Sequence, residues 1–159
     1  MTDFYYRTNL TCICSNPVIM KMICNIFSIK DAFWNRAEQL VATINKNTDC
    51  KAQLFDLADK TELAKSICES QILTNGTSVG MAPNVDHCII EDMKHFPDDL
   101  IVSDVIYNPR ETKFLRLARE RGLKTFNGLY MLLYQGAKAF EIWTGKEMPV
   151  DIIKEKYFS

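Results

Sequence analysis

The stretch LIVSDVIY (residues 100–107) is an almost continuous run of apolar and β-branched residues, and Pro109 follows it closely. Such a run is typical of a β-strand that is covered on both faces, because a half-exposed strand alternates apolar with polar residues. On one side of it, ETKFLRLARERG (111–122) has helical spacing and ends at Gly122, a typical helix C-terminus. On the other side, ILTNGT (72–77) is another strand-length run. Strands and helices therefore alternate here.

The same alternation continues outward from this segment. Strands are predicted at 23–29, 52–57 and 124–128, and helices at 31–45, 60–70, 129–145 and 149–158. The pattern predicts an α/β fold with a Rossmann-like parallel sheet and flanking helices. Ligands of such sheets bind beyond the carboxyl ends of the strands, where Asp31, Thr77, Tyr107 and Gly128 are expected. The pattern alone leaves open the alternative that these strand ends simply carry turn residues.

Composition excludes several classes of protein. The 159 residues suffice for one domain, and 47% hydrophobic residues with a net charge of −1 predict no binding of nucleic acid or membrane surface. No window approaches the roughly 18 apolar residues of a membrane span, and the N-terminus lacks the order of a signal peptide. The six cysteines show no metal-binding or disulfide spacing, so we expect reduced thiols, a cytoplasmic location and no metal site. The glycosylation patterns at Asn9 and Asn75 are then chance matches.

A single amide interrupts the apolar run NGLYMLLYQGAKAFEIWTG (127–145). Gln135 stands in the middle of this predicted helix. A glutamine among apolar side chains costs free energy unless it is hydrogen-bonded. Its partner is either the backbone of the protein or a ligand, and the residues by themselves leave both open.

Three motifs carry a resemblance to a known family. They are ILTNGTSVGMAPN (72–84), DVIYNPxxTKxL (104–115) and NGLYMLLYQGAKAFEIWTGKEMP (127–149). From about residue 25 onward the chain resembles the shikimate dehydrogenase family, and in particular its shikimate/quinate dehydrogenase branch. The resemblance implies NAD(P)-dependent interconversion of shikimate and 3-dehydroshikimate, or of quinate and 3-dehydroquinate, in aromatic amino acid biosynthesis. In this family an N-terminal domain binds substrate, a Rossmann domain binds the dinucleotide, and the last helices pack back on the first domain.

The resemblance implies a role for particular residues. Gln135 and Tyr107 correspond to substrate-binding positions, and Gln135 would hydrogen-bond the substrate hydroxyls. The loop that passes the ribose and pyrophosphate of the cofactor corresponds to Asn75, Thr77 and Ser78, with Val79 and Gly80. Val105 corresponds to the strand end at the nicotinamide. Gly128 and Met131 correspond to the residues that bracket the nicotinamide ring. For Met131 a place in the core is an equal alternative.

Cofactor choice depends on the end of the second Rossmann strand. The resemblance places Asp31 there, where a carboxylate accepts hydrogen bonds from the ribose hydroxyls and repels a 2′-phosphate. The alternative is that Asp31 caps the following helix. The family branch has an Asn-Arg-x-Asp-like run, whereas this chain has Ser28-Ile29-Lys30-Asp31, with Lys30 as its only cation. We therefore expect NAD to be favoured over NADP.

Two parts of the family pattern are missing. No glycine precedes Gly76, so the Gly-rich phosphate-binding turn is absent. The catalytic Lys–Asp pair of the substrate domain is also absent, and we assign no catalytic residue. His87 and His95 are expected on the surface, and Asp86 and Asp104 have no partner that the sequence identifies.

These departures predict a particular domain organisation. Residues 1–22 are expected to be a leader without family resemblance, 23–128 a partial dinucleotide-binding domain that lacks the first β-α unit, and 129–159 helices that pack toward the missing substrate domain. Such a truncated chain would be inactive alone. The alternative is a non-catalytic remnant, or a dinucleotide-binding module that acts only with a separate catalytic domain. The strand at 23–29 would lack a neighbour on one side. Apolar residues on the last two helices would face water and favour oligomers or aggregates: Leu129, Leu132, Leu133, Phe140, Ile152 and Tyr157.

Overall fold

The computed structural model describes residues 11–15, 23–28 and 34–158, which form one sheet with helices on both faces. The strands are β1 (Thr11–Ser15), β2 (Ile23–Ser28), β3 (Lys51–Asp56), β4 (Ile72–Asn75), β5 (Ile101–Asp104) and β6 (Lys124–Phe126). The helices are α1 (Trp34–Asn47), α2 (Lys60–Cys68), α3 (Lys113–Glu120), α4 (Leu129–Thr144) and α5 (Val150–Tyr157).

The sheet has the strand order β3-β2-β1-β4-β5-β6. β2 pairs with β3 in parallel, and so do β4 with β5 and β5 with β6. β1 is antiparallel to both of its neighbours, β2 and β4, so the other five strands all run in one direction. The predicted α/β architecture with a parallel sheet is confirmed for these five strands, and their carboxyl ends share one edge.

β1 corrects one prediction about this sheet. The strand at 23–29 was expected to lack a neighbour, yet β2 pairs with β1 from Ile23 opposite Ser15 to Phe27 opposite Thr11. β1 also pairs with β4, where Cys14 lies opposite Ile72. A strand between β2 and β4 satisfies backbone groups that would otherwise be buried without partners, and either strand direction can do so. Residues 11–15 therefore belong to the sheet.

Apolar side chains cover the two faces of the sheet in separate clusters. The smaller cluster packs Cys24, Ile26 and Ala52 beneath α1, which contributes Val41 and Ile44. The larger one joins strands, α2, α3 and the 88–96 segment: Phe27, Leu63, Ile67, Leu73, Met93, Phe96, Leu100, Val102, Phe114, Leu115, Ala118 and Leu123. Cys24 and Ile26 point to one face and Phe27 to the other, as the pleat of a strand requires.

Most elements end up to three residues away from the sequence expectation; β4, for example, ends at Asn75, so Thr77 lies in the turn after it. β5 ends at Asp104, so Tyr107 lies in the segment after the strand and not at its end. α1 begins at Trp34, and residues 29–33 lie outside the described part. α3 ends as predicted, with Gly122 at φ +88° just beyond it. In the described residues no helix is both long and apolar enough to span a membrane.

Candidate functional site

Three chain segments meet at the carboxyl edge of the sheet. They are the turn that follows β4, the segment that follows β5, and the start of α4. The Val105 N–H donates to the Asn75 carbonyl at 3.1 Å, and the Gly128 N–H donates to the Ile106 carbonyl at 2.9 Å. Seven of the predicted site residues lie on these segments and their continuation: Asn75, Thr77, Ser78, Val105, Tyr107, Gly128 and Met131.

The turn after β4 is built by side chains of its own. The Asn75 Oδ1 accepts from the Thr77 N–H at 3.0 Å and from the Thr77 hydroxyl at 2.7 Å. The Thr77 Oγ1 in turn accepts from the Val79 N–H at 3.0 Å. Asn75 and Thr77 are buried, whereas Ser78 is exposed. The turn therefore presents Ser78 to solvent on a scaffold of buried hydrogen bonds.

Asp104 is a functional candidate that the sequence did not reveal. Only 3% of it is exposed, and its carboxylate accepts from three other residues. Oδ1 accepts from the Ile106 N–H at 3.0 Å and Oδ2 from the Thr112 hydroxyl at 2.8 Å, while the Asn75 Nδ2 lies 3.2 and 3.3 Å from the two oxygens. The signal in the sequence was the spacing itself. An Asp at a strand end, eight residues before the Thr that caps the next helix, can reach that cap.

Burial determines the charge state of this carboxyl group. Loss of solvation raises the pKa of Asp104 to about 6, from an ordinary value of 3.8. The hydrogen bonds from Ile106, Thr112 and Asn75 lower the pKa and offset part of this effect. Asp104 therefore gains and loses its proton near pH 6, where an ordinary Asp is already ionised.

Gly128 allows the start of α4 to touch the segment after β5. A Cβ atom at Gly128 would lie 1.9 Å from the Val105 carbonyl oxygen and 2.5 Å from its carbon. Both neighbours are backbone atoms, so no side chain can be accommodated without moving one segment away from the other. The glycine is thus required for close backbone approach at this edge of the sheet.

A stripe of three residues runs from this contact along one face of α4. Gly128, Met131 and Gln135 are spaced three and four residues apart and so lie on one face of the helix. Met131 is 45% exposed, which rules out the alternative that it is a core methionine. Gln135 is exposed too, and its side chain makes no hydrogen bond within the described part of the chain. In the described residues its amide therefore caps no backbone group and faces solvent.

The remaining predicted residues have different outcomes. Tyr107 is exposed on the segment after β5, and Val105 beside it is half-buried. Lys30 and Asp31 lie outside the described residues, so the adenosine end of the site stays a prediction. His87 and His95 are exposed as expected. Among the described residues, no three His, Cys, Asp or Glu side chains are grouped so that they could hold a metal ion.

A cavity of about 420 Å³ lies away from this edge, between α2 and residues 89–96. Its walls are mainly apolar and include Leu63, Ile67 and Phe96. None of the predicted site residues lines it. We therefore place the candidate site at the carboxyl edge and not in this cavity.

Comparisons with known proteins show which proteins the chain is similar to. The family model of the shikimate 5'-dehydrogenase C-terminal domain matches residues 128–156, which hold the start of α4, Met131, Gln135 and α5. The shikimate dehydrogenase (NADP(+)) of Listeria monocytogenes serotype 4b is 54% identical over 134 residues, which are 84% of this chain and 46% of that protein. The chain thus spans about half the length of the curated relatives that it matches.

The chain is also similar in three dimensions to solved structures of shikimate and quinate dehydrogenases. The chain is similar to the crystal structure of Listeria monocytogenes shikimate 5-dehydrogenase in complex with shikimate and NAD, with a TM-score of 0.77, 54% identity, and coverage of 82% of this chain and 45% of that one. It is also similar to quinate dehydrogenase from Corynebacterium glutamicum in complex with NAD, with a TM-score of 0.66, 28% identity, and coverage of 78% and 43%.

Proposed function

Because the chain belongs to the shikimate dehydrogenase family through the half that it shares with these relatives, we propose that it is the dinucleotide-binding half of an NAD(P)-dependent shikimate or quinate dehydrogenase. The observation that carries this proposal is the stripe on α4. It starts where Gly128 touches the Val105 backbone and leads through Met131 to the exposed amide of Gln135. The helical rise puts Gln135 about 10 Å from Gly128 along the axis, a distance that suits a small hydroxylated ring beside a nicotinamide.

The roles in this proposal divide along the edge of the sheet. The turn with Asn75, Thr77 and Ser78 would follow the ribose and pyrophosphate of the dinucleotide. Val105, Gly128 and Met131 would hold the nicotinamide. Gly128 lets the start of α4 lie against the Val105 backbone, which would form one side of the ring site, and Met131 would supply an apolar surface. Gln135 and Tyr107 would bind the substrate hydroxyls. We assign no catalytic acid or base to this chain.

The proposed chemistry is transfer of a hydride between the nicotinamide and a ring carbon of the substrate. A base must take the hydroxyl proton as the hydride leaves. We propose that this base belongs to a substrate-binding domain, and that residues 23–128 and 129–159 supply the dinucleotide domain and the helices that meet it. Cys68 and Cys88 form no disulfide, and such cysteines suit the reducing cytoplasm that we infer as its location.

The alternative function is a dinucleotide-binding module without catalysis. The absence of glycine before Gly76 favours it, because residues 1–75 then contain no Gly-rich turn that could hold the pyrophosphate. The two functions differ in one measurable property. Only the first requires that Gln135 affect turnover when a substrate domain is supplied.

The test uses a fusion that supplies the missing parts. The amino-terminal half of the Listeria enzyme, with its own phosphate-binding turn, is joined to residues 23–159 of this chain. We expect this fusion to oxidise shikimate or quinate with a nicotinamide cofactor. Gln135→Ala should then raise the substrate KM, lower kcat, or both, by about 5- to 100-fold in kcat/KM, because it removes a hydrogen bond worth about 1–3 kcal/mol.

Gln39→Ala is the matched control for this substitution. Gln39 is an exposed glutamine on α1, remote from the carboxyl edge in sequence, and its removal should leave kcat/KM within about twofold. An active fusion with unchanged kinetics in Gln135→Ala would remove Gln135 from the site. A folded but inactive fusion would favour the binding module.

For the cofactor we propose NAD. The Listeria relative is named for NADP(+), while the related solved structure holds NAD. In this chain a 2′-phosphate would meet the Asp31 carboxylate, with only Lys30 to offset the repulsion. The fusion should therefore show a higher kcat/KM with NAD than with NADP, and Asp31→Asn should narrow the difference. A higher kcat/KM with NADP in the unsubstituted fusion would contradict this prediction.

A further inference from the structure

Asp104 has no role in the proposed function, yet it touches two of the three segments of the site. Its carboxylate binds the side chain that begins the turn after β4, the backbone of the segment after β5, and the residue that caps α3. One bond further on, the Ile106 carbonyl accepts from the Gly128 N–H at the start of α4. The stripe that carries Gln135 is thus two hydrogen bonds away from Asp104.

The Asp104 carboxylate helps to orient the Asn75 amide. An ionised carboxylate can only accept hydrogen bonds, so the Asn75 Nδ2 must face Asp104. The same Nδ2 also donates to the Val79 carbonyl at 3.3 Å, and the Asn75 Oδ1 faces the Thr77 N–H and hydroxyl that it accepts from. Asp104 therefore acts together with Val79 and Thr77 to hold this amide, and the Thr77 Oγ1 accepts in turn from the Val79 N–H.

The same carboxylate also holds the segment after β5. The Val105 N–H still donates toward β4, to the Asn75 carbonyl, whereas the next N–H, that of Ile106, lies on the side away from β4 and donates to the Asp104 Oδ1. The chain leaves the sheet at this point and presents Tyr107 to solvent. A single side chain thus contacts both the segment after the strand and the turn beside it.

A purely structural role does not explain why a charged carboxylate is buried at position 104. Burying a carboxylate costs several kcal/mol, and neutral residues hold strands and helix caps together at lower cost. The cap of α3 needs only the Thr112 Oγ1, which accepts from the Leu115 N–H at 3.3 Å. An acceptor-only group is needed at Asn75 and Ile106, on the side that faces the predicted cofactor loop.

We propose that Asp104 is a positioning residue, which acts through Asn75 and the Ile106 backbone to hold the turn at 75–79 and the segment at 105–107 in the arrangement that receives the dinucleotide. This inference rests on the proposed function. Asp104 itself touches neither cofactor nor substrate in this arrangement.

The test compares two substitutions around the same carboxylate in the fusion described above. Asp104→Asn removes the acceptor-only group that orients Asn75. Thr112→Val removes a hydrogen bond to the same carboxylate but leaves Asn75 and Ile106 in place, and it keeps the shape of the side chain. We expect the dinucleotide KM to rise at least tenfold in Asp104→Asn, with a smaller change in shikimate KM. Thr112→Val should lower stability and leave the dinucleotide KM within about twofold.

Amide hydrogen exchange provides a readout that does not depend on activity. In Asp104→Asn, the Thr77, Val79 and Ile106 amides should lose at least tenfold in protection, while core amides of α3 such as that of Ala118 keep theirs. Unchanged protection at these three amides, or equal effects of both substitutions on the dinucleotide KM, would overturn the inference. An unsubstituted fusion that is inactive counts against the proposed function instead, and the exchange data still decide whether Asp104 holds the turn.

Discussion

At the scale of single residues, the buried carboxyl of Asp104 links stability to pH. Its pKa is about 6 in the fold and 3.8 in a model peptide, so the folded chain binds this proton more tightly than the unfolded chain does. The contribution of Asp104 to stability is therefore fully present below about pH 4 and is lost as pH rises through about 6. No cation contributes to its pKa within the described residues, and the titratable neighbour that senses its charge is Cys88.

This linkage gives a prediction with a defined sign. The unfolding free energy of the unsubstituted protein, minus that of Asp104→Asn, should fall by about 2–3 kcal/mol between pH 4 and pH 7.5. Urea unfolding at a series of pH values measures it. Glu111→Gln is the control with the opposite sign, because the Arg119 guanidinium lowers the pKa of Glu111 and its contribution is lost as pH falls. If the difference in unfolding free energy between the unsubstituted protein and Asp104→Asn did not change with pH, the raised pKa of Asp104 would be contradicted.

Gln135 and Asp104 show what a sequence reveals about a site. Gln135 was identified because an amide in an apolar run stands out from its neighbours along the chain. Asp104 was not, because its partner Asn75 is 29 residues away and no local pattern joins the two. Sequence reports the type and spacing of residues, whereas the partners of a buried polar group depend on which strands become neighbours.

At the scale of elements, the parallel strands were predictable and β1 was not. β2 to β6 are runs of β-branched and apolar residues that alternate with amphipathic helices, and each was found within a few residues of its true bounds. β1 lies among residues with no helical or strand period that decides its place. β1 lies between β2 and β4 because the facing backbone groups of these two strands need hydrogen-bond partners, and this depends on the whole fold and not on the local sequence.

Element ends were the least predictable feature, for a physical reason visible at β5. The apolar run continues to Tyr107, so the sequence extends the strand to that residue. The strand ends earlier, and the Ile106 N–H donates to the Asp104 side chain instead of to a neighbouring strand. Side chains that compete for backbone groups thus shorten strands below the length of their apolar runs.

At the scale of the whole molecule, the last two helices present an apolar face without a partner in the described structure. Several large side chains of α4 and α5 are exposed, including Ile142 at 70% and Trp143 at 82%. Phe140, Ile152 and Tyr157 are exposed as expected, but Leu133 is buried, which corrects its place in the predicted surface. Leu129 and Leu132 are half-buried. The exposed face is thus formed more by Ile142 and Trp143 than by the leucines.

This face leads to the prediction that the 159-residue chain by itself associates in solution and has no dehydrogenase activity. Contiguous apolar patches beyond a few hundred Å² tend to bind a partner, and without a substrate domain the available partner is another copy. Light scattering should show dimers or larger species, and Ile142→Ser combined with Trp143→Ser should reduce their mass. Leu40→Ser is the control, since it removes an exposed leucine from α1 instead. Shikimate and NAD should give no NADH with this chain, because no base is held against the reacting carbon. A monodisperse monomer that forms NADH would contradict both parts, and it would place catalytic groups among residues to which we assign none.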